Sequence, residues 1–165
     1  MKRLALAAVT ILTFGVAGCG SSSNNNPNAP SDITIFTVQL SALNENPAIT
    51  NAEATARGTA VITINKATNK VDFNVSLNSF PAGSTVNIAH IHGPATPSTN
   101  AGIVVNTGLT AGNVVLTNGS GTFSFDQASP NTADIIPQIL ANPQNFYFNV
   151  HTTLNPGGAI RGMLR

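Results

Sequence analysis

The sequence predicts an all-β fold, an antiparallel β-sandwich with Greek-key-like connections, about nine strands and one short helix. Runs rich in β-branched residues recur roughly every ten residues, and Gly, Pro, Asn and Ser separate them. Only 8% of residues are charged while 42% are hydrophobic, which is typical of strands whose outer faces carry uncharged polar side chains. A length of 165 residues suits one folded domain with one core.

The strands are predicted from alternation and from β-branched content. In the first, 33–41, Phe36 and Val38 point to one face and the residues between them to the other, so one face lies on the core. Segments 54–64 and 70–77 are joined by the turn sequence NKATN and form a hairpin. The other six strands are expected at 85–92, 103–107, 113–117, 120–126, 146–152 and 158–164.

The segment 129–143 interrupts this pattern and predicts the short helix. Asp134 is of a type favoured at helix N-termini, and an Asn-Pro pair ends the apolar stretch that follows it. Pro137 lacks a backbone N–H and is therefore tolerated only near the start of a helix. We expect the helix at 134–141.

The N-terminus predicts export and lipidation. Positively charged residues at 1–3 precede the apolar run 4–16, which is too short to span a bilayer comfortably. The sequence VAGC at 16–19 resembles the lipobox of bacterial lipoproteins, in which the cysteine receives a diacylglyceryl group after the signal peptide is cut. Residues 1–18 are therefore expected to be a signal peptide, and Cys19 is expected to attach the protein to a membrane.

Three segments follow from this interpretation. Residues 1–18 form the signal peptide, 19–32 the lipidated cysteine and a flexible linker, and 33–165 the folded domain. The linker is rich in Ser, Asn and Pro and has almost no apolar residue, so it cannot bury enough surface to order itself. Gly20 after the cysteine favours the outer membrane in a host with two membranes, and the cell surface in any other host.

The charge of the mature chain argues against a nucleic-acid partner. Seven basic and six acidic residues give a formal net charge of +1. Removal of Lys2 and Arg3 with the signal peptide leaves five basic residues against six acidic ones. No basic patch remains that would neutralise phosphates.

All three histidines of the chain, His90, His92 and His151, lie in two predicted strands. Residues i and i+2 of a strand share a face, so His90 and His92 project together. A neighbouring strand that carries His151 would bring three imidazoles together as ligands for copper or zinc. The other interpretation is structural: the histidines bond to the backbone and hold the loop that starts at Gly93. The sequence favours it, because Val86 and Ile88 would share the histidine face.

The isolated charged residues Arg161 and Glu45 are interpreted as structural rather than catalytic. Arg161 follows the turn sequence NPGG. Its N–H donors are expected to bond to loop carbonyls and to Glu45 or another acid. The alternative is that its positive charge guides an anion toward a metal or binds a carboxylate. Glu45 has no second carboxylate near it in sequence and is interpreted as a partner that fixes a loop. No serine-hydrolase elbow, phosphate-binding loop or dinucleotide fingerprint occurs, so no catalytic residue is assigned.

Four motifs together resemble the CHRD domain, which is named for chordin and occurs in many secreted or lipid-anchored bacterial proteins. They are LSALNENP at 40–47, AHIHGPA at 89–95, FYFNVHT at 146–152 and NPGGAIRG at 155–162. The resemblance covers about 36–165 and takes in Glu45, Gly93, Asn149 and Arg161. It implies a β-sandwich and an extracellular setting. Family members usually have Glu where this chain has Ala159, so any role that depends on that acid is absent here.

A looser likeness of pattern connects the chain to superoxide dismutase, whose sandwich also uses H-x-H, a later His and a C-terminal Arg. The bridging His, zinc ligands and disulfide of that enzyme have no counterpart here. The expected function is a surface-anchored, non-catalytic module that binds a protein or matrix partner and carries no cofactor. The alternative is a copper or zinc protein that uses His90, His92 and His151, with redox activity included.

Overall fold

The computed structural model describes residues 31–165, so the predicted signal peptide, Cys19 and nearly all of the predicted linker lie outside it. The described part contains nine strands and one α-helix, α1 (Ile135–Ala141), as the sequence predicts. Two short 3-10 helices lie at Ala42–Asn44 and Pro143–Asn145. The strands are β1 (Ile33–Ser41), β2 (Arg57–Asn65), β3 (Lys70–Asn78), β4 (Ser84–His92), β5 (Ile103–Asn106), β6 (Val114–Leu116), β7 (Gly121–Ala128), β8 (Tyr147–Thr152) and β9 (Ile160–Met163).

All strand pairs are antiparallel and form one sheet in the order β5-β4-β8-β9-β1-β2-β3-β7, with β6 also beside β4. The strands β9-β1-β2-β3 follow a Greek-key-like order in which the last strand of the chain returns beside the first. One residue pair, Ser41 with Arg161, joins β1 to β9. This narrow joint divides the sheet into a first half (β1, β2, β3, β7) and a second half (β4, β5, β6, β8, β9).

The two halves fold over one another and enclose the core. The rings of Phe73 in β3 and Phe148 in β8 stack with centroids 5.4 Å apart, although four other strand pairings separate these strands in the sheet. Ile62 and Ile160, one from each half, are fully buried in the same cluster. Each such side chain contributes about 1.5–3 kcal/mol by leaving water. The core between the halves confirms the predicted all-β sandwich.

The ends of the sheet also approach each other. The amide of Asn131, just after β7, donates to the Val104 carbonyl of β5 at 2.8 Å, and an isolated bridge joins Val105 to Pro130. These contacts give the sandwich a nearly barrel-like closure. They protect strand edges that would otherwise present unpaired backbone groups.

Helix α1 lies where the sequence predicts it, with Asp134 at its N-cap position. Its three isoleucines are buried against the core, which explains why so short a helix is stable. The Asp134 carboxylate makes no capping bond to the backbone, however. It accepts instead from the Thr132 hydroxyl and the Gln138 amide. No helix within residues 31–165 is long and apolar enough to cross a membrane.

A β-bulge in β4 corrects the predicted phase of the histidine strand. The register with β8 shifts between Val86 and Ile88, so Val86 lies in the core while Ile88 does not. After the bulge, Ala89 and Ile91 lie in the core, as the alternation of the H-x-H segment predicts. Val86 therefore does not share the face of the histidines, whereas Ile88, which lies opposite His151, does, so the apolar-face argument for a purely structural role is wrong for Val86 and keeps only Ile88.

A candidate metal centre of three histidines

The histidine cluster, defined as His90, His92 and His151, lies on the face of β4 and β8 that points away from the core. Cross-strand pairing places His90 opposite Asn149, which is in turn opposite Arg161 of β9. The side chains of these five residues are buried. Two connections flank this face: the 93–102 loop between β4 and β5, and the 153–159 loop between β8 and β9.

The three imidazoles converge on one point. Each histidine offers a ring nitrogen, and the three atoms all lie within 4.8 Å of one another. Nδ1 of His90 is 3.3 Å from Nε2 of His151. Ligands about 2.0–2.1 Å from a shared ion are themselves separated by about 3.4 Å in trigonal or tetrahedral geometry. The His90–His151 spacing therefore suits two ligands of one ion, and the longest separation in the cluster, up to 4.8 Å, would have to shorten toward about 3.4 Å for all three to bind it.

Backbone carbonyls determine which nitrogen of two rings carries the proton. Nδ1 of His92 lies 2.9 Å from the carbonyl oxygen of Ala101, and Nδ1 of His151 lies 2.9 Å from that of Pro156. A carbonyl oxygen only accepts, so both Nδ1 atoms must donate. In the neutral rings the Nε2 atoms of His92 and His151 therefore present lone pairs. The Nε2 atom of His92 is buried without any hydrogen-bond partner in the described residues.

Burial keeps the imidazoles neutral, which is the form that binds metal. Burial in the first place, and then the nearby His151 and His92, lower the pKa of His90 to about 4. Burial also lowers the pKa of His92, while its hydrogen bond to the Ala101 carbonyl raises it. Burial also lowers the pKa of His151, while its hydrogen bond to the Pro156 carbonyl raises it.

A stack of planar groups holds His92 in place. The ring of Tyr147 lies parallel to His92, with centroids 4.8 Å apart and an interplanar angle of 5°. The guanidinium carbon of Arg161 lies 4.6 Å from the centre of the Tyr147 ring. The tyrosine hydroxyl accepts from the backbone N–H of Ala101 at 3.3 Å, which connects the stack to the loop that also binds His92. Tyr147 was not predicted as a site residue, although alternation along β8 places it on the same face as His151.

Arg161 satisfies loop carbonyls, as predicted, but forms no ion pair with Glu45. Its side chain is 2% exposed and donates to the backbone oxygens of three residues and to one side-chain amide oxygen. These partners are Asn44 O at 2.6 Å, Pro97 O at 2.8 Å, Thr99 O at 3.3 Å and Asn100 Oδ1 at 2.7 Å. Within residues 31–165 the ion pair closer than 4 Å is Lys66 with Asp32, on the surface.

Glu45 does not fix its loop through its side chain. Its carboxylate makes no hydrogen bond to the described residues, and Oε1 is buried without a partner. Burial raises the pKa of Glu45 to about 7, although the charge of Arg161 lowers it. A Cβ on Gly158 would lie 2.9 Å from Glu45 Oε2 and 2.7 Å from Asn149 Nδ2. Gly158, the second glycine of the NPGG turn, is therefore needed because a larger residue would collide with these two side chains.

Gly93 also has a steric explanation. A Cβ at this position would overlap the buried ring of Phe146 and come within 2.7 Å of its Cε1 atom. The close approach lets the chain turn directly after His92 into the loop whose Ala101 carbonyl binds that histidine. Gly93 therefore serves the geometry of the cluster without contacting an ion.

Sequence reasoning missed a second buried polar network beside the cluster. The Glu53 carboxylate is 1% exposed and accepts from Thr152 Oγ1 and Asn155 Nδ2, each at 2.6 Å. Thr152 precedes the 153–159 loop and Asn155 belongs to it, and this loop supplies the Pro156 carbonyl to His151. An acid in the otherwise small and apolar segment 52–56 was the available signal. Glu53 thus stabilises the loop that orients His151.

Comparison with known proteins identifies the family. The CHRD domain family matches residues 36–164, which is most of the chain and nearly all of the described part. Comparisons with curated proteins and with solved structures gave no match. At the position where the resemblance leads one to expect Glu, Ala159 is fully buried and supplies no carboxylate. The match covers every strand that forms the histidine cluster, and the chain belongs to the CHRD domain family.

Proposed function

We propose that this chain is an exported, lipid-anchored CHRD module of the cell envelope that acts by binding rather than by catalysis. We propose further that its domain binds a transition-metal ion, copper or zinc, through His90, His92 and His151. The match to the CHRD domain family supports a non-catalytic module. The anchor at Cys19 and a protein or matrix partner belong to the same proposal and rest on the sequence.

One observation carries the metal proposal: the lone pair of His92 Nε2 is buried, has no donor, and points into a cluster with two other imidazoles. A buried nitrogen in a structural role is expected to be paired. A metal ion supplies the missing partner for this lone pair, and it can replace His90 Nδ1 as the partner of the lone pair on His151 Nε2. The carbonyls that bind both Nδ1 atoms correspond to the outer contacts that orient metal-ligating histidines.

Thermal melting of the full chain, purified without a polyhistidine tag, tests the proposal. Zn²⁺ or copper is expected to stabilise the EDTA-treated wild type by about 2.7 kcal/mol at a concentration 100-fold above Kd. His151→Gln removes an imidazole ligand, so the increment should disappear. Thr153→Ala, an exposed change two residues away, is the matched control and should keep the increment.

The structural interpretation predicts a different set of melts. No saturable metal-dependent shift would be seen, and each histidine variant would lose stability in EDTA because hydrogen-bond partners are left unpaired. A metal-dependent shift that survives equally in His151→Gln and Thr153→Ala would also contradict the proposal, since the ion would then bind elsewhere.

The anchor is tested by membrane fractionation. Cys19→Ala removes the acceptor of the lipid, so the variant is expected to accumulate as unprocessed precursor or to appear in the soluble fraction. Globomycin, which blocks the lipoprotein signal peptidase, should produce the precursor from the wild type. If the variant is processed and fractionates with membranes as the wild type does, the lipidation proposal is wrong.

A further inference from the structure

The donor set of the histidine cluster consists of three uncharged ligands. Among residues 31–165, no carboxylate or thiolate joins the three imidazoles within the spacing that one ion requires. Structural Zn²⁺ is almost always bound by four protein ligands in a tetrahedron, and catalytic Zn²⁺ adds water to three. Cu²⁺ prefers a tetragonal arrangement with at least four donors. Cu⁺, a closed-shell ion, is satisfied by three donors in a plane.

The cluster gives little room for water to complete a fourth position. His90, His92 and His151 are 2%, 8% and 6% exposed, respectively. The ring orientations of His92 and His151 are fixed by their carbonyl partners, and His92 is also stacked against Tyr147. A divalent ion that needs a fourth ligand would have to open this packing to admit water, or recruit the amide oxygen of Asn149, which is buried without a partner on the residue opposite His90. A three-coordinate ion would not.

The buried charges around the cluster also favour a monovalent ion. The buried charged side chains of the described part are Glu45, Glu53 and Arg161. With both acids ionised they carry a formal charge of −1, which one monovalent cation neutralises. A divalent cation leaves an excess positive charge near the Arg161 guanidinium, and uncompensated charge is costly in a poorly solvated site.

From the neutral donor set, the burial and the charge balance, we infer that the cluster selects Cu⁺ over Zn²⁺ and Cu²⁺. This inference rests on the proposed metal-binding function and adds the identity and oxidation state of the ion. The selectivity comes from what surrounds three ordinary imidazoles rather than from a soft sulfur ligand. The protein would then hold copper in its reduced form.

Competition with chromophoric chelators under anaerobic conditions tests the selectivity. The full chain is titrated with Cu⁺ from its bicinchoninate complex in the presence of ascorbate, and separately with Zn²⁺ and Cu²⁺ from chelators of known affinity. The binding that differs between wild type and His151→Gln belongs to the cluster, because any contribution of the Cys19 thiol is common to both. We expect this component to be at least about 100-fold tighter for Cu⁺ than for Zn²⁺ or Cu²⁺.

Two other outcomes separate the inference from the function on which it rests. If Zn²⁺ or Cu²⁺ binds as tightly as Cu⁺, or more tightly, and the binding is lost in His151→Gln, the selectivity is wrong while the metal-binding function stands. If no ion shows a component that depends on His151, both are wrong. His92→Gln provides a second variant, whose agreement with His151→Gln excludes a local folding defect as the cause.

Discussion

Replacing Arg161 with methionine is expected to destabilise the domain by about 3–5 kcal/mol, because each hydrogen bond from a charged donor contributes about 1.5–3 kcal/mol and several are lost together. Methionine covers the aliphatic stem of arginine and has no donors, so the change removes the hydrogen bonds of the guanidinium together with its contact to the Tyr147 ring. The carbonyls of Asn44, Pro97 and Thr99 would lose their donor. Because these oxygens belong to two separate loops, both loops would lose their connection to β9.

Urea unfolding at constant pH measures this effect, and two variants serve as controls. Arg165→Met changes an exposed arginine at the end of the chain and should alter stability by no more than about 0.5 kcal/mol. Arg161→Lys keeps the charge but lacks the planar fork, so it should recover only part of the loss. An Arg161→Met protein as stable as Arg165→Met would show that water can replace the guanidinium, and the proposed role of Arg161 would fail.

The strands and the helix were predictable because they depend on local pattern. Alternation in 33–41 places Phe36 and Val38 on one face, and both are buried in the core of the folded chain. Pro137 and Asp134 likewise limit the helix to one short segment, which the structure shows at Ile135–Ala141. Such features need no knowledge of which strands are neighbours, so one sequence was enough to predict them.

The phase of β4 was not predictable in the same way. A period of two residues assigns Val86 and His90 to one face only if the strand is regular. The bulge between Val86 and Ile88 adds one residue and reverses the assignment. Because β4 pairs with β6 before the bulge and with β5 after it, the bulge depends on tertiary pairing that the segment itself does not reveal.

The sequence predicted that the three histidines converge only if the strand of His151 lies beside the strand of His90 and His92. His90 and His92 share a face by local geometry, but His151 joins them only because β8 pairs with β4 in a particular register. The carbonyls of Ala101 and Pro156 come from loops whose paths the sequence does not specify. The residue types of the site were therefore predictable, while its tautomers and its buried lone pair required the structure.

Gly162→Ala is expected to destabilise the protein by about 3 kcal/mol, the upper range for forcing an extra methyl group into a packed site. The new Cβ would overlap the Gln39 carbonyl oxygen and lie 2.8 Å from Val38 Cγ1. Gly162 has no positive φ, so the effect is steric and not conformational. The obstacle is the backbone of β1, which no side-chain rotation can remove, so β9 would have to move away from β1.

The matched control is Gly102→Ala, which places a methyl group where no atom lies within 4 Å and where φ is also not positive. It should be neutral or slightly stabilising, because alanine restricts the unfolded chain more than glycine does. Thermal unfolding of both variants in EDTA isolates the fold from metal binding. The halves of the sheet are joined directly at one residue pair, Ser41 with Arg161, immediately beside Gly162. Equal stability of the two variants would mean that β9 separates from β1 without cost, and that the enclosed core alone holds the halves together.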